Sequence, residues 1–340
     1  MYKKELLAKL LLSAGVLPLV RSFRAWNGKE LRILAYHRVF DVGDESKFPF
    51  DPELISASTV GFREQIEHIA AHFVPVTCAD ILAAIDGGRS LPTRAIVITF
   101  DDGHADNYTH AFPVLRDLGV PATIFLSTAY IGETGTFWFD RVANIVFSAP
   151  LGNYLLPGIK EPLRLTDVAS RRLAADLVLR HVKSLRDIQR RELITCLAEM
   201  LKTETPANDS ALSGAMNWAQ VREMASAGIE FGSHSVSHPI LTQLDDGALD
   251  HELAESRKAI ACQIGRSVDI IAYPVGGAQA FDARVIAAAQ RAGYRLGLSY
   301  VSGTNQLHRL NRYSLQRLPV ERYTSRARFQ AMLEFPTLFK

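Results

Sequence analysis

Ala95–Gly103 reads AIVITFDDG. Six uncharged residues in succession, β-branched at their centre, read as a short strand buried on both faces of a parallel sheet. Two adjacent carboxylates, Asp101 and Asp102, stand at its C-terminal end. Strand and helix signals alternate on either side of it. Leu31–His37 reads as a buried strand, with helices over Phe62–Phe73 and Ala79–Gly88 leading to Ala95. Downstream come a helix over Ala111–Gly119 and strands at Pro121–Ser127, Ile229–His234, Asp269–Pro274 and Tyr294–Tyr300. Helices over Trp218–Gly228, Asp250–Gly265 and Asp282–Gly293 separate the later strands, and Arg317–Arg322 closes the series. Such repeats predict an α/β fold of about seven parallel strands in a distorted, TIM-like (β/α) barrel, with an open doubly wound sheet as the alternative. No G-x-G-x-x-G follows a strand, which weakens a nucleotide-binding reading.

Between Ile131 and Gly214 the rhythm breaks, with no clear strand and two charged helical runs near 166–183 and 187–202. Because it follows a barrel strand, this insertion is expected to cap the C-terminal face, where barrel active sites lie. The expected organisation is an N-terminal amphipathic helix over 1–29, a barrel over 30–330 with the insertion at 131–214, and a tail over 331–340.

The chain has 340 residues, 38 Lys+Arg against 36 Asp+Glu, and 48% hydrophobic residues. Those values exclude disorder as the main state, and the near-zero charge argues against nucleic acid as a partner. No run of 18 apolar residues marks a membrane-spanning helix. Cys78, Cys196 and Cys262 are odd in number, far apart and without a CxxC pair, so they read as reduced thiols. Near the start, Leu6, Leu7, Leu10 and Leu11 share a helical face, with Lys3, Lys4 and Lys9 nearby. A helix packed on the domain, a peripheral membrane contact and a cleaved signal are the three readings of that stretch. A cytoplasmic or peripherally membrane-associated location is the expectation, with export left open.

Three polar clusters end predicted strands. Asp101 and Asp102 cannot both be buried cheaply unless something offsets their charge; a metal ion does this for one and leaves the other free as a general base. Helix capping by Asp102 is the competing reading. His234 and His238, four residues apart after a strand, can chelate one ion. One carboxylate and two imidazoles make a three-ligand site with open positions, the catalytic rather than the structural arrangement. His37 ends the first strand at the same mouth and is a general-acid candidate.

TFDDG followed by H-S-x-x-H-P on a strand–helix repeat resembles the polysaccharide deacetylases of carbohydrate esterase family 4, the NodB-homology domain. LAYHRV (Leu34–Val39) and IAYPVG (Ile271–Gly276) look like its bacterial exopolysaccharide branch. The resemblance runs from about Leu31 to Val320. It implies Asp101 as base, Asp102, His234 and His238 as ligands of a divalent metal, with zinc expected, and His37 as acid. It also implies that Tyr273 and Pro274 line the acetyl pocket, with the backbone N–H near Val275 open to an oxyanion. The family's RxPxY arginine is missing here, so Arg317 or Arg141 is expected to orient Asp101. The family's C-terminal histidine motif is also missing. His104 stands where the family often has an aromatic residue and is read as a spectator or a substrate contact. Sugars stack on aromatic faces, so Trp138, between Phe137 and Phe139, is expected to overhang the site.

The implied activity is metal-dependent removal of N-acetyl groups from an N-acetylhexosamine-containing glycan. The alternatives are an amide or ester hydrolase acting on a lipid-linked sugar or small amide, and a non-catalytic glycan-binding or scaffold barrel in exopolysaccharide assembly.

Overall fold

The structure is a computed structural model that describes residues 2–20, 30–133, 136–203 and 214–339. Its centre is a ring of seven strands: β1 (Glu30–Tyr36), β2 (Ala95–Phe100), β3 (Thr123–Leu126), β4 (Glu230–Ser233), β5 (Ile270–Ala272), β6 (Leu296–Ser302) and β7 (Leu315–Pro319). Each pairs in parallel with the next in chain order, and β7 pairs back with β1. The ring is therefore closed, as the barrel reading required, and the open sheet is ruled out. Short strands at Val74–Pro75 and Asn305–Gln306 extend β2 and β1 at their N-terminal ends.

A period of two sorts the strand residues. Leu31, Ile33, Ala95, Val97, Ile270, Leu296, Leu298 and Leu315 pack with one another as an inner cluster. Their alternates, among them Leu34, Tyr36, Ile96, Ile98 and Phe100, belong to the outer cluster beneath the helices. Thr99 and Asp101 continue the inner register of Ala95 and Val97, which aims Asp101 at the barrel axis.

The covering helices are α1 (Tyr2–Ser13), α2 (Thr59–His72), α3 (Cys78–Ile85) and α4 (Phe112–Leu118), then, beyond the insertion, helices of the same kind. The insertion leaves after β3 and carries α5 (Trp138–Ser148), α6 (Val168–Ser184) and α7 (Asp187–Met200). Phe137, Val142, Ile145, Val178, Val182 and Leu197 give it a core of its own. It also holds an antiparallel pair, Gly152–Tyr154 with Leu163–Leu165, where no strand was expected. Three residues per strand are too few for an alternation to register. Residues 134–135 and 204–213 of this stretch lie outside the described residues. The barrel resumes with α8 (Trp218–Ser226), α9 (Asp246–Ile264), α10 (Ala283–Arg291) and α11 (Arg326–Glu334).

Both ends differ from expectation. Residues 331–339 of the expected tail are not a tail: Ala331, Met332, Leu333 and Phe339 are buried in the main core, and Glu334 pairs with Arg94 at 2.9 Å. At the other end α1 stops at Ser13, and Gly15, at φ +68°, breaks the helix. Residues 16–20 are helical again, and 21–29 lie outside the described residues.

Candidate metal and catalytic site

The turn after β2 carries the carboxylates. Asp102 adopts φ +74° and Gly103 φ +85°. A Cβ at Gly103 would stand 2.7 Å from Leu126, so only glycine fits between this turn and β3. The turn after β4 carries the histidines, with Ser235 at φ +66° and His238 at φ +55°. Val275, after β5, sits at φ +62°, a costly conformation for a β-branched residue. Backbone strain of this kind collects where a fold is made to hold a particular side chain or amide.

Asp102 Oδ1 is 3.5 Å from His234 Nε2 and 3.3 Å from His238 Nε2. All three side chains are buried, and their ligand atoms lie within 4.8 Å of one another. Asp102 Oδ1 makes no hydrogen bond in spite of its burial. His234 Nδ1 lies 2.8 Å from the Ala272 carbonyl, which can only accept, so Nδ1 carries the proton and Nε2 presents a lone pair. That is the tautomer of a metal-ligating histidine, and an unsatisfied buried carboxylate oxygen facing two imidazoles fits a divalent cation. Burial pushes His234 down to about 4, which keeps it neutral. Burial alone would raise Asp102, but the His104 and His238 side chains beside it hold it well below the usual carboxylate range.

Glu252 of α9 sets the histidine turn. It accepts hydrogen bonds from the Val236 amide (2.7 Å), the Ser237 amide (2.9 Å) and the Ser237 hydroxyl (2.6 Å). The indole Nε1 of Trp138 donates to the His238 carbonyl at 2.9 Å.

Asp101 stands beside the triad. Arg317, on β7 inside the barrel, donates Nη1 to Asp101 Oδ1 (2.8 Å) and Nη2 to Oδ2 (2.7 Å), while its Nε bonds the Ser299 carbonyl (2.8 Å). Both partners are almost wholly buried. Burial would raise Asp101, yet the Arg317 charge outweighs it and the carboxyl ends below its ordinary value. His37 closes the other side, its amide on Ser56 Oγ (2.9 Å) and its carbonyl on Asn107 (2.8 Å). Burial lowers His37, partly offset by the charges of Asp102 and Asp101. Asp106, after β2, ties its turn to the segment that follows β1 by accepting from Arg38 Nε (2.7 Å) and the Val39 amide (3.1 Å).

A cavity of about 210 Å³ opens over these groups, lined by His37, Asp101, Asp102, His234, His238, Val275 and Tyr300. The insertion supplies Trp138, Phe139, Leu179 and Lys183 to its wall. The Val275 amide has no hydrogen-bond partner among the described residues.

Tyr273, Pro274 and Arg141 stand elsewhere than expected, and His104 is no substrate contact. Tyr273 does not line the cavity: its buried ring stacks on Phe281 and its hydroxyl donates to the Tyr313 carbonyl. Pro274 is buried beside it, and Tyr300 takes the aromatic place at the wall. Arg141 is not on Asp101 but in a neighbouring cavity with Arg190, Arg191 and Tyr130, walled off by Trp138. His104 is fully buried behind the carboxylate, its Nε2 3.3 Å from Asp102 Oδ2 and its ring 4.5 Å from Phe137, out of reach of the cavity. Glu252, Asp106, Asn107 and Tyr300 were not foreseen. Only Glu252 carried a signal, as a carboxylate on the helix face that Leu249, Leu253 and Ile260 of α9 mark as buried.

Comparison with known proteins agrees with this geometry. A poly-beta-1,6-N-acetyl-D-glucosamine N-deacetylase of Escherichia coli (strain K12) is 34% identical over 98 residues, 28% of this chain and 14% of that protein. The enzyme of the same name from Staphylococcus epidermidis is 38% identical over 74 residues, 22% of this chain and 25% of its own length. These matches thus span a quarter or less of the relatives. In fold, a Streptococcus pyogenes deacetylase solved with acetate superposes over 87% of this chain and 94% of its own, with a TM-score of 0.57 at 18% identity. Residues 88–297 match the family described as polysaccharide deacetylase, a span that holds Asp101, Asp102, His234 and His238, while His37 and Arg317 come from the flanking strands. With more than half its length in that match and the barrel closed around those residues, the chain belongs to the polysaccharide deacetylase family.

Proposed function

We propose that this chain is a metal-dependent N-deacetylase acting on N-acetylhexosamine units of a glycan. The observation that carries the reading is Asp101, held ionised by a two-pronged arginine next to the Asp102, His234 and His238 cluster in one aromatic-walled cavity.

Asp102, His234 and His238 would hold the ion, with zinc the expected metal from the two nitrogens and one oxygen. A divalent ion there supplies Lewis-acid polarisation of an acyl carbonyl and makes water more acidic. Asp101 accepts the proton of the attacking water. Arg317 keeps both carboxylate oxygens aimed and unprotonated. The Val275 N–H, pinned in its strained turn and unpartnered, donates to the oxyanion that forms on the acyl carbon. His37, which burial favours in the neutral form, must first take up a proton; as imidazolium it then gives that proton to the leaving amine and returns to the neutral form. Trp138 and Phe139 offer apolar faces to a pyranose ring. The products are acetate and a free amino sugar.

The test is acetate release from N-acetylglucosamine oligomers, with metal content measured on the same protein and on His234→Ala. About one divalent ion per chain, with release lost in the variant, is expected. Release that persists in metal-free variant protein would overturn the metal-dependent reading.

A further inference from the structure

We infer that the cavity behind Trp138 is an anion subsite that takes a carboxylate or phosphate group carried by the glycan, an assignment that rests on the deacetylase reading for its glycan. The cavity holds about 330 Å³, more than the one over the metal cluster. Arg141 of α5 and Arg190 and Arg191 of α7 line it, with Tyr130, Thr195 and Ser237. Among the described residues no carboxylate does.

Three guanidinium groups around one cavity repel one another unless anions answer them. Asp187 answers two: it accepts from Arg190 through one oxygen and from Arg191 Nε, at 2.7 Å, through the other. Arg141 makes no side-chain hydrogen bond or ion pair among the described residues, and its Nε is buried. Arg190 is 4% exposed, and its Nε is likewise buried without a partner. Burial lowers Arg190 from its ordinary value, and Asp187 offsets only part of that. Donors thus outnumber acceptors here, and an incoming oxyanion supplies the acceptors that are lacking. The planar guanidinium matches carboxylate and phosphate oxygens alike. A neutral sugar would leave the charge unanswered.

Trp138 links the subsite to the reaction. The Arg190 guanidinium carbon lies 4.6 Å from the centre of its ring, and the same indole walls the catalytic cavity. Ser237 lines the arginine cavity, while the next residue, His238, lines the catalytic one. A glycan with its reacting unit over the cluster can therefore bring a neighbouring acidic unit to the arginines.

The experiment is calorimetric titration of the full chain with two acidic probes, each beside its neutral counterpart. One is a tetrasaccharide alternating glucuronate and N-acetylglucosamine, set against the N-acetylglucosamine tetramer. The other is N-acetylglucosamine 1-phosphate, set against N-acetylglucosamine. The titration is repeated in His234→Ala, where a metal ion cannot hold the probe. It does not read acetate release, so its failure is distinct from failure of the deacetylase reading. Expected is binding of an acidic probe at least about tenfold tighter than its neutral counterpart, weakened by salt and lost in Arg141→Gln/Arg191→Gln at an unchanged melting temperature. Preference for the tetrasaccharide assigns a uronate, and preference for the sugar phosphate assigns a phosphate ester. If the double variant fails to fold, Arg141→Gln alone decides, because that guanidinium holds no bond in the fold: weaker binding supports the subsite, and undiminished binding overturns it. Equal binding of acidic and neutral probes also overturns it.

Discussion

Arg317 meets Asp101 edge to edge inside the barrel, two parallel hydrogen bonds of 2.8 and 2.7 Å joining the guanidinium to both carboxylate oxygens. The pair fixes the position of the carboxylate and its charge at once. Arg317→Lys removes the fork while keeping a cation. The expected outcome is a fall in kcat of tenfold or more with metal affinity retained. Asp101 is lowered by Arg317, so losing the fork raises its pKa and moves the acid limb of the kcat/KM profile to higher pH. A pH–rate series on the two proteins checks both.

The same pair governs acid stability. A carboxyl depressed in the folded state contributes stability above its unfolded value of about 3.9, lost as pH falls through the lower folded value. Arg317→Leu leaves Asp101 buried and unpaired, which costs about 3–5 kcal/mol at neutral pH. The deficit should shrink towards acid pH, where Asp101 in the variant is protonated. Denaturant melts at neutral and acid pH measure it.

Glu252 works through the backbone rather than on substrate. Glu252→Gln supplies one acceptor oxygen where the turn uses two, and sets an amide N–H₂ against backbone donors. Metal affinity is expected to drop about 10–100-fold. Chelator competition reads this directly, and unchanged affinity would remove Glu252 from the account.

Val275 tests the cost of its turn. Val275→Gly keeps the N–H and relieves φ +62°, so the protein should gain about 1 kcal/mol or more of stability without losing the amide donor. Thermal melts alongside acetate release check the pair of expectations. A loss of stability would mean that side-chain packing outweighs the backbone strain.

Trp138 is both wall and brace. Trp138→Phe keeps an apolar face but drops the bond to the His238 carbonyl, whereas Trp138→Ala drops both. KM for an oligomer is expected to rise clearly more in the alanine variant. Equal kinetics in all three proteins would mean that no sugar ring rests there.

Much of this was legible in the sequence because strand ends are where a parallel barrel exposes its chemistry. AIVITF followed by DD, and IEFGSH followed by a second histidine, mark β2 and β4 and the groups they aim upward. Arg317 could be offered from sequence only as one of two arginines. Its choice over Arg141 depends on register: Leu315 and Arg317 share the inward face of β7, a fact that pairing with β1 and β6 decides. Tyr273 misled for the same reason, since one residue beyond β5 its side chain falls outside the barrel wall and stacks on Phe281. Asp106 and Asn107 act through hydrogen bonds to residues some seventy positions away, and no local pattern announces such partners.

The most direct measurement is acetate release by Asp101→Asn beside the unaltered protein, with metal bound per chain determined on both. Asparagine keeps the shape and loses the base. Equal metal content and a fall in turnover of at least about a hundredfold are expected. Full turnover in the asparagine variant, with the same metal bound, would contradict the role of Asp101 as base.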